Sequence, residues 1–138
     1  MSVLMPIEPF LSDQHQLLAL CIWREARNQP DAAMLGVAWT IKNRCSMAPR
    51  EGFKADIAGN VLKPWAFSSF MEGDPNSTKY PEPGPVWDRC LAAARSAEAD
   101  PTGSAVFYYS PPLMQPPSAW GSVEHSADIG ELHFCRIV

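Results

Sequence analysis

The fourteen prolines of this 138-residue chain decide which of its segments can be helical. Proline lacks a backbone N–H and its ring clashes with the preceding turn, so helix interiors exclude it. Average usage predicts only about seven prolines in a chain of this length. They concentrate in two stretches, 75–85 and 111–117, which we predict to be long structured loops. Loops of this kind often carry function on a small scaffold.

Two helices are predicted between the prolines of the N-terminal half. Ser12 or Asp13 can cap the first helix, which we expect to run to about residue 28 because Pro30 stops it. Asp31 is expected to cap the second helix, which ends before Pro49. The second helix has apolar side chains at helical spacing, namely Met34, Leu35, Ala38, Ile41 and Cys45.

The C-terminal half is predicted to add another helix and a small sheet. The segment 54–62 has the pattern of one or two helical turns, and Pro85 suits the first turn of a third long helix. The β-branched and aromatic residues at 105–109 and the alternation at 132–137 indicate antiparallel strands. The sequence therefore predicts an α+β fold that is predominantly helical and has a small antiparallel sheet.

Composition limits the number of domains and the classes of partner. The length predicts one domain, 1–138, in which we expect 1–11 to form an irregular N-terminal arm. A net charge of −4 provides no positive field for phosphates, so nucleic acid is not expected as a partner. The apolar runs are far shorter than the roughly 20 residues that span a bilayer, so stable membrane insertion is not expected.

Two features bear on the cellular compartment. Residues 1–10 contain no Lys or Arg, which predicts synthesis in the cytoplasm without a secretory signal. The cysteines are widely spaced among apolar residues and form no CxxC pair, which excludes a zinc knuckle and a thioredoxin motif, and we predict buried thiols rather than disulfides. The four are Cys21, Cys45, Cys90 and Cys135.

Glu25 is placed unusually for a charged residue. At about 100° per residue, Leu17, Leu18, Cys21 and Ile22 occupy one arc of the first helix, and Glu25 falls inside that arc. A carboxylate that faces apolar surroundings holds a proton more readily, which suits a general acid. The alternative is a glutamate in the last turn that reaches solvent or pairs with a neighbouring cation.

Four segments of the chain follow an order that occurs in one protein family. They are Glu25-Ala26-Arg27, the segments 36–44 and 62–68, and Asp100-Pro101-Thr102-Gly103 ahead of Tyr108-Tyr109. This set resembles the SleB-type cell-wall hydrolases, named for spore cortex-lytic enzymes. The resemblance extends from Leu17 to Phe134, and phage and prophage members are the most similar, particularly in 63–65 and 74–76.

The resemblance implies lytic cleavage of the glycan strands of peptidoglycan on a lysozyme-like scaffold, without a cofactor. It assigns the catalytic acid to Glu25, the residue that the apolar arc also selects. The chain departs from the family at Asn28-Gln29, where members often have Gly-Glu, and at Ala66, where many have Gln. The compact form suits a phage lysis enzyme that reaches the wall after release through a membrane lesion, and we expect a monomer.

One carboxylate is enough for a lytic transglycosylase. On this reading Glu25 protonates the glycosidic oxygen, and its carboxylate then removes the proton from the C6 hydroxyl of muramic acid, giving a 1,6-anhydro product. Hydrolysis ordinarily needs a second carboxylate. The candidates for that role are Glu72, Asp74 and Glu82 in the proline-rich loop.

Several other residues are candidates for substrate binding. The Ser68 hydroxyl is expected to bond to substrate or to Glu25, and of the strand pair Tyr108 and Tyr109 we favour Tyr109 for the cleft. Arg27 and Arg44 can hold substrate carboxylates through their guanidinium groups. Flat rings suited to stacking on sugars are supplied by Trp65, Phe67, Phe70 and Trp120.

Two alternative functions remain open on the sequence alone. His125, His133 and Cys135 lie close together and have the side chains of a zinc site, which would suit a peptidoglycan amidase. The other alternative is a glycan-binding or virion structural module without activity, in which the aromatic loops bind wall sugars. Sensitivity to chelation separates the amidase from a metal-free enzyme.

Overall fold

The computed structural model describes residues 7–138, and its fold is the predicted helical α+β arrangement. The helices are α1 (Glu8–Leu11), α2 (Gln14–Ala26), α3 (Asp31–Met47), α4 (Ile57–Val61) and α5 (Pro85–Arg95). The strands are β1 (Phe107–Tyr109), β2 (Val123–Ile129) and β3 (Leu132–Ile137), in one antiparallel sheet of order β1-β3-β2. Within 7–138, every helix falls short of the length and hydropathy of a bilayer-spanning segment.

The two N-terminal helices lie where the prolines predict them, with corrected ends. Asp13 caps α2, because its side chain accepts a hydrogen bond from the backbone N–H of His15 at 2.9 Å. The helix ends at Ala26 rather than near residue 28, since the N–H of Gln29 turns back to the Ala26 carbonyl. The expected cap of α3 by Asp31 is wrong: the helix begins directly after Pro30, and Asp31 pairs with Arg89 instead.

The core is built around α2, which packs against α3, α4 and α5. Leu17, Leu18, Cys21 and Ile22 are fully buried, as the apolar arc predicts. The sheet approaches α3 so closely that a Cβ at Gly36 would lie 2.6 Å from the ring of Phe134, which explains the glycine there. All four cysteines are free thiols, and Cys45 differs from the prediction in being only half-buried.

The N-terminal arm and the second strand depart from the sequence prediction. Residues 1–6 lie outside the described part, but Glu8–Leu11 form a helical turn instead of an irregular arm. Phe10 anchors that turn, with its ring 5.9 Å from that of Tyr80 and 5.8 Å from that of Trp87. Strand β2 was not predicted, because its charged and exposed residues hide the alternation of a strand.

Candidate active site

Glu25 lies in the last turn of α2, half-buried, with its carboxylate between two hydroxyl groups. Its Oε2 accepts a hydrogen bond from the Ser69 hydroxyl at 2.9 Å, and its Oε1 accepts one from the Tyr108 hydroxyl at 2.6 Å. An ionised carboxylate has about four acceptor positions. Two of them therefore remain free to exchange a proton with a bound molecule.

Tyr108 is fixed as a hydrogen-bond donor to Glu25. It lies on β1 with its ring 5.8 Å from that of Phe134, on the side of the sheet that faces the core. Burial raises the pKa of the Tyr108 hydroxyl well above its ordinary value, and the nearby charge of Glu25 adds to that rise. The phenol thus stays protonated and donates to the carboxylate.

Arg24 holds the loop that carries Ser69. Its buried guanidinium donates to the backbone carbonyls of Ser69 and Ser77 at 3.1 Å each and to that of Lys79 at 3.1 and 3.2 Å. It also lies 4.6 Å from the centre of the Phe70 ring. Because Arg24 precedes Glu25 in α2, the same helical turn carries the carboxylate and fixes the loop that places a hydroxyl on it.

A cleft of about 340 Å³ opens on one side of Glu25, a volume within the usual range for small-molecule sites. Its walls are largely aromatic, and the ring of Trp120 stacks on that of Phe107 with centroids 4.6 Å apart and planes 7° from parallel. Besides Glu25 and Tyr108, the cleft is lined by Arg44, Glu51, Phe53, Asn60, Lys63, Pro64, Trp65, Ala66, Phe67, Phe107, Ala119 and Trp120.

Trp65 stands at the rim of this cleft with 84% of its surface exposed. Its φ of +69° lies in the left-handed region, which bulky residues rarely adopt. Backbone strain of this kind concentrates at functional sites. The conformation holds a large flat ring in solvent at the rim of the cleft that contains the carboxylate, where a sugar face can stack on it.

Arg44 is a buried charged residue in the cleft wall. It is 6% exposed, its Nε donates to the Val106 carbonyl at 2.7 Å, and its guanidinium lies 5.1 Å from the ring centre of Phe67. Burial lowers the pKa of the guanidinium, while Tyr108 and other neighbouring groups oppose that shift. Of the arginines that we named from sequence, Arg44 is the one that lines the cleft with Glu25.

Glu25 also lines a second cavity, which is polar. It is lined by Asn28, Gln29, Ser110, Pro111, Glu131 and Leu132 together with Glu25 itself. Gln29 joins the β2–β3 turn to the end of α2, because its side chain accepts from the Glu131 N–H at 2.9 Å and donates to the Glu131 carboxylate at 3.0 Å. Glu25 therefore lies between two cavities.

In two cases the hydroxyl that meets Glu25 belongs to the neighbour of the predicted residue. Ser68 is exposed and lines neither cavity, whereas Ser69 is 2% exposed and donates to Glu25. Tyr109 points to the outer face of the sheet, against Trp120 and His133, so the preference for Tyr109 is wrong and Tyr108 meets the carboxylate. A short 3-10 turn over Ser68–Phe70 sets which serine faces inward, and no pattern in the sequence signals that turn.

Other expected site residues lie elsewhere. Arg27 bonds to the carbonyls of Trp23 and Arg24 and covers the Trp23 ring at 4.3 Å, so it closes the end of α2 rather than lining either cavity. Phe70 packs under Arg24 instead of facing the cleft. The three carboxylates proposed as partners for hydrolysis, Glu72, Asp74 and Glu82, are outside both cavities, which instead contain Glu51 and Glu131.

The structure brings together only two of the three zinc ligands named from sequence. His125 and His133 both contact Asp128, and these three residues form a cluster outside the two cavities of Glu25. Cys135 lies on β3 with His133 but is fully buried and is not a member of the cluster.

The chain matches a known protein family. The profile of a family of cell wall hydrolases matches residues 28–135. The matched range begins three residues after Glu25, so the role of Glu25 rests on the geometry of the site.

Individual relatives agree with this match. The chain is 28% identical to a spore cortex-lytic enzyme of Bacillus subtilis over 127 residues, which are 92% of this chain and 39% of that protein. It is 27% identical to one of Bacillus cereus, over 88% of this chain and 43% of that protein. The chain thus spans about two fifths of the length of these relatives.

Two solved structures of catalytic domains match over nearly their whole length. The catalytic domain of the Bacillus cereus SleB protein has a TM-score of 0.66 at 26% identity, over 89% of each chain. That of the germination-specific lytic transglycosylase SleB from Bacillus anthracis has a TM-score of 0.67 at 26% identity, over 89% of this chain and 93% of that one. The predicted fold is therefore confirmed.

Proposed function

Because this chain belongs to the cell wall hydrolase family, we propose that it cleaves the glycan strands of peptidoglycan with Glu25 as the acid. One observation carries the proposal. The half-buried Glu25 carboxylate has a hydroxyl donor on each oxygen and lies between two cavities, one of them lined by aromatic rings. Polymeric sugar suits this arrangement, since rings stack on the sugar faces and polar groups meet the hydroxyls.

The proposed reaction is a lytic transglycosylation. Protonated Glu25 gives its proton to the glycosidic oxygen as the bond to C1 of muramic acid breaks. The resulting carboxylate takes the proton of the muramic C6 hydroxyl, whose oxygen bonds to C1 and forms the 1,6-anhydro ring. Glu25 is protonated again at the end, and no water is consumed. Ser69 and Tyr108 stabilise the carboxylate in the intermediate state, because each donates to one of its oxygens.

The two cavities support cleavage within a strand. Sugars on the leaving side and on the muramic side of the scissile bond each need space next to the acid. The aromatic cleft with Trp65 and the polar cavity with Asn28 and Gln29 provide one space each.

Hydrolysis is the second candidate mechanism. Glu51 lines one cavity with Glu25 and Glu131 lines the other, so these two are the candidates for a second carboxylate that activates water. The Gln29 side chain already donates a hydrogen bond to the Glu131 carboxylate, so Glu131 has fewer acceptor positions left for water.

The products distinguish these mechanisms. Purified sacculi would be digested and the released muropeptides analysed by mass spectrometry. A transglycosylase yields fragments that end in anhydromuramic acid, each lighter by one water than the hydrolytic fragment. Fragments with only a reducing muramic acid would assign hydrolysis. Release of free stem peptides with intact glycan would contradict both mechanisms.

We also propose the biological setting, a phage or prophage lysis enzyme that acts as a monomer on the wall without inserting in the membrane. The support is the likeness of the segments 63–65 and 74–76 to phage members of the family. Expression in the bacterial cytoplasm alone should leave cells intact, whereas co-expression with a membrane-permeabilising protein should lyse them. Lysis without permeabilisation would contradict the proposed delivery, and light scattering on a sizing column tests the monomer.

A further inference from the structure

Three side chains with metal-binding atoms meet on the outer face of the sheet. Oδ1 of Asp128 lies 2.6 Å from Nε2 of His125 and 2.6 Å from Nδ1 of His133, and the three atoms lie within 4.8 Å of one another. We propose that this cluster binds a divalent transition-metal ion of the zinc type, at a site separate from the catalytic cleft.

A β-bulge brings the cluster together. His125 and Asp128 are three residues apart, so in a regular strand their side chains would point to opposite faces. The pairing of β2 with β3 shifts register between His125 and Ala127, which leaves Ser126 as an extra residue. The shift puts His125 and Asp128 on the same face as His133, which pairs directly with Asp128. Bulges commonly redirect a side chain in this way.

The donor set fits the chemistry of zinc. Two imidazole nitrogens and one carboxylate oxygen are a usual set of three protein ligands, with a fourth position left for water or another ligand. Such ligands lie about 2.0–2.2 Å from the ion and therefore about 3–4 Å from each other. The two 2.6 Å contacts to Asp128 would have to lengthen to that spacing when an ion replaces the hydrogen bonds. The single carboxylate also offsets part of the charge of the ion.

The site is accessible and lies close to the cleft wall. The exposed fractions of the side chains are 53% for His125, 56% for Asp128 and 35% for His133, so an ion can enter from solvent. The ring of Tyr109 lies 5.0 Å from that of His133 and 6.3 Å from that of Trp120, which lines the cleft. A bound ion would join β2 to β3 behind this aromatic wall and stabilise the hairpin.

The test is zinc titration of untagged protein by calorimetry at about pH 7.5, where free imidazoles are neutral. We expect one site in the wild type. His125→Ala and His133→Ala should each weaken binding at least tenfold, because two ligands hold the ion much less tightly than three. His15→Ala is the matched control, since His15 is exposed at the start of α2, outside the cluster, and is the only other histidine in the sequence.

A second readout does not depend on calorimetry. Zinc should raise the thermal midpoint of the wild type, of His15→Ala and of Glu25→Gln, but not that of His125→Ala. His125→Gln keeps a polar side chain of similar length, so it serves if the alanine variant folds poorly by circular dichroism.

The proposal is overturned if the wild type fails to bind zinc, or if the cluster variants bind as tightly as His15→Ala does. Because Glu25→Gln should bind zinc normally, failure of the proposed glycan cleavage leaves this result unaffected. A cobalt-substituted protein with a strong thiolate charge-transfer band would also contradict the proposed ligands, since it would place a cysteine at the metal.

Discussion

Two carboxylates of this protein are held by neighbouring donors, and they differ in how much of their acceptor capacity is used. Asp100 accepts four hydrogen bonds, two on each oxygen, from Asn43, Thr102 and Ser104. Glu25 accepts two, one on each oxygen, from Ser69 and Tyr108. Since a carboxylate has about four acceptor positions, Asp100 is saturated and Glu25 is not.

The number of acceptor positions used suits Asp100 to a structural role and Glu25 to the proposed catalytic one. Burial raises the pKa of Asp100, but the hydrogen bonds from Thr102 and Asn43 outweigh it and the net shift is downward, so this carboxylate stays charged and fixes the loop ahead of β1. Glu25 is oriented by its two donors and still has positions free for a proton. General acid and base catalysis requires a carboxyl group that is held in one orientation and still has a position free for the proton.

The largest expected effect is that of Glu25→Gln. Glutamine keeps the size and accepts a hydrogen bond but has no carboxyl proton to give, so activity on sacculi should fall by about 10²- to 10⁴-fold. Turbidity loss of purified sacculi measures the rate, and circular dichroism confirms the fold. Wild-type activity in this variant would show that Glu25 is not the acid.

Removing one donor from Glu25 should have a smaller effect. Tyr108→Phe and Ser69→Ala each delete a hydrogen bond to the carboxylate, worth about 1.5–3 kcal/mol, and should lower the rate by roughly 10- to 100-fold. The matched controls are Tyr109→Phe and Ser68→Ala, which remove the neighbouring hydroxyl outside the site. Equal losses in the controls would contradict the placement of the two donors.

The free acceptor positions of Glu25 can exchange a proton with substrate only if substrate is bound next to them. Trp65→Ala removes the exposed ring at the cleft rim and should raise KM by about two- to tenfold with little change in kcat, given typical aromatic contact energies of about 0.5–1.5 kcal/mol. Met114→Ala is the control, because Met114 is similarly exposed but lies outside both cavities. An unchanged KM in Trp65→Ala would exclude the ring from binding.

Asp100→Asn tests the saturated carboxylate. The amide cannot accept from all four donors, so the free energy of unfolding should fall by about 1–3 kcal/mol, while the rate per folded molecule stays the same. The pKa of Asp100 is lowered in the folded state, so its contribution is present above the ordinary Asp value of about 3.9 and is lost as pH falls through the lowered value. Denaturant unfolding at several pH values should show the wild type and variant converging in acid.

Chelation should have the smallest effect. The mechanism proposed for the cleft uses side chains alone, so activity on sacculi should survive an excess of EDTA. The zinc proposed for the outer face of the sheet would be removed under the same conditions. Loss of activity that zinc restores would instead favour the amidase, with the histidine cluster as its centre.

The histidine cluster shows where reasoning from sequence succeeds and fails. The proximity of His125 and His133 was visible in the sequence, but Cys135 was the wrong third member. A regular strand puts His133 and Cys135 on one face, and nothing in the sequence reveals the bulge that carries Asp128 to the histidines. Burial then removes Cys135 from the accessible surface.

The sequence by itself determined the long helices and the core-facing position of Glu25. Proline exclusion and the 3.6-residue period are local rules, so Pro30 and Pro85 were enough to bound α2 and α5, and the apolar arc of α2 was enough to place Glu25 at the edge of the core. The tertiary structure alone decided which hydroxyls meet its carboxylate, because Ser69 and Tyr108 lie 44 and 83 residues away along the chain. Their approach depends on the path of a loop held by Arg24 and on the face that β1 turns toward α2, and neither follows from a local pattern.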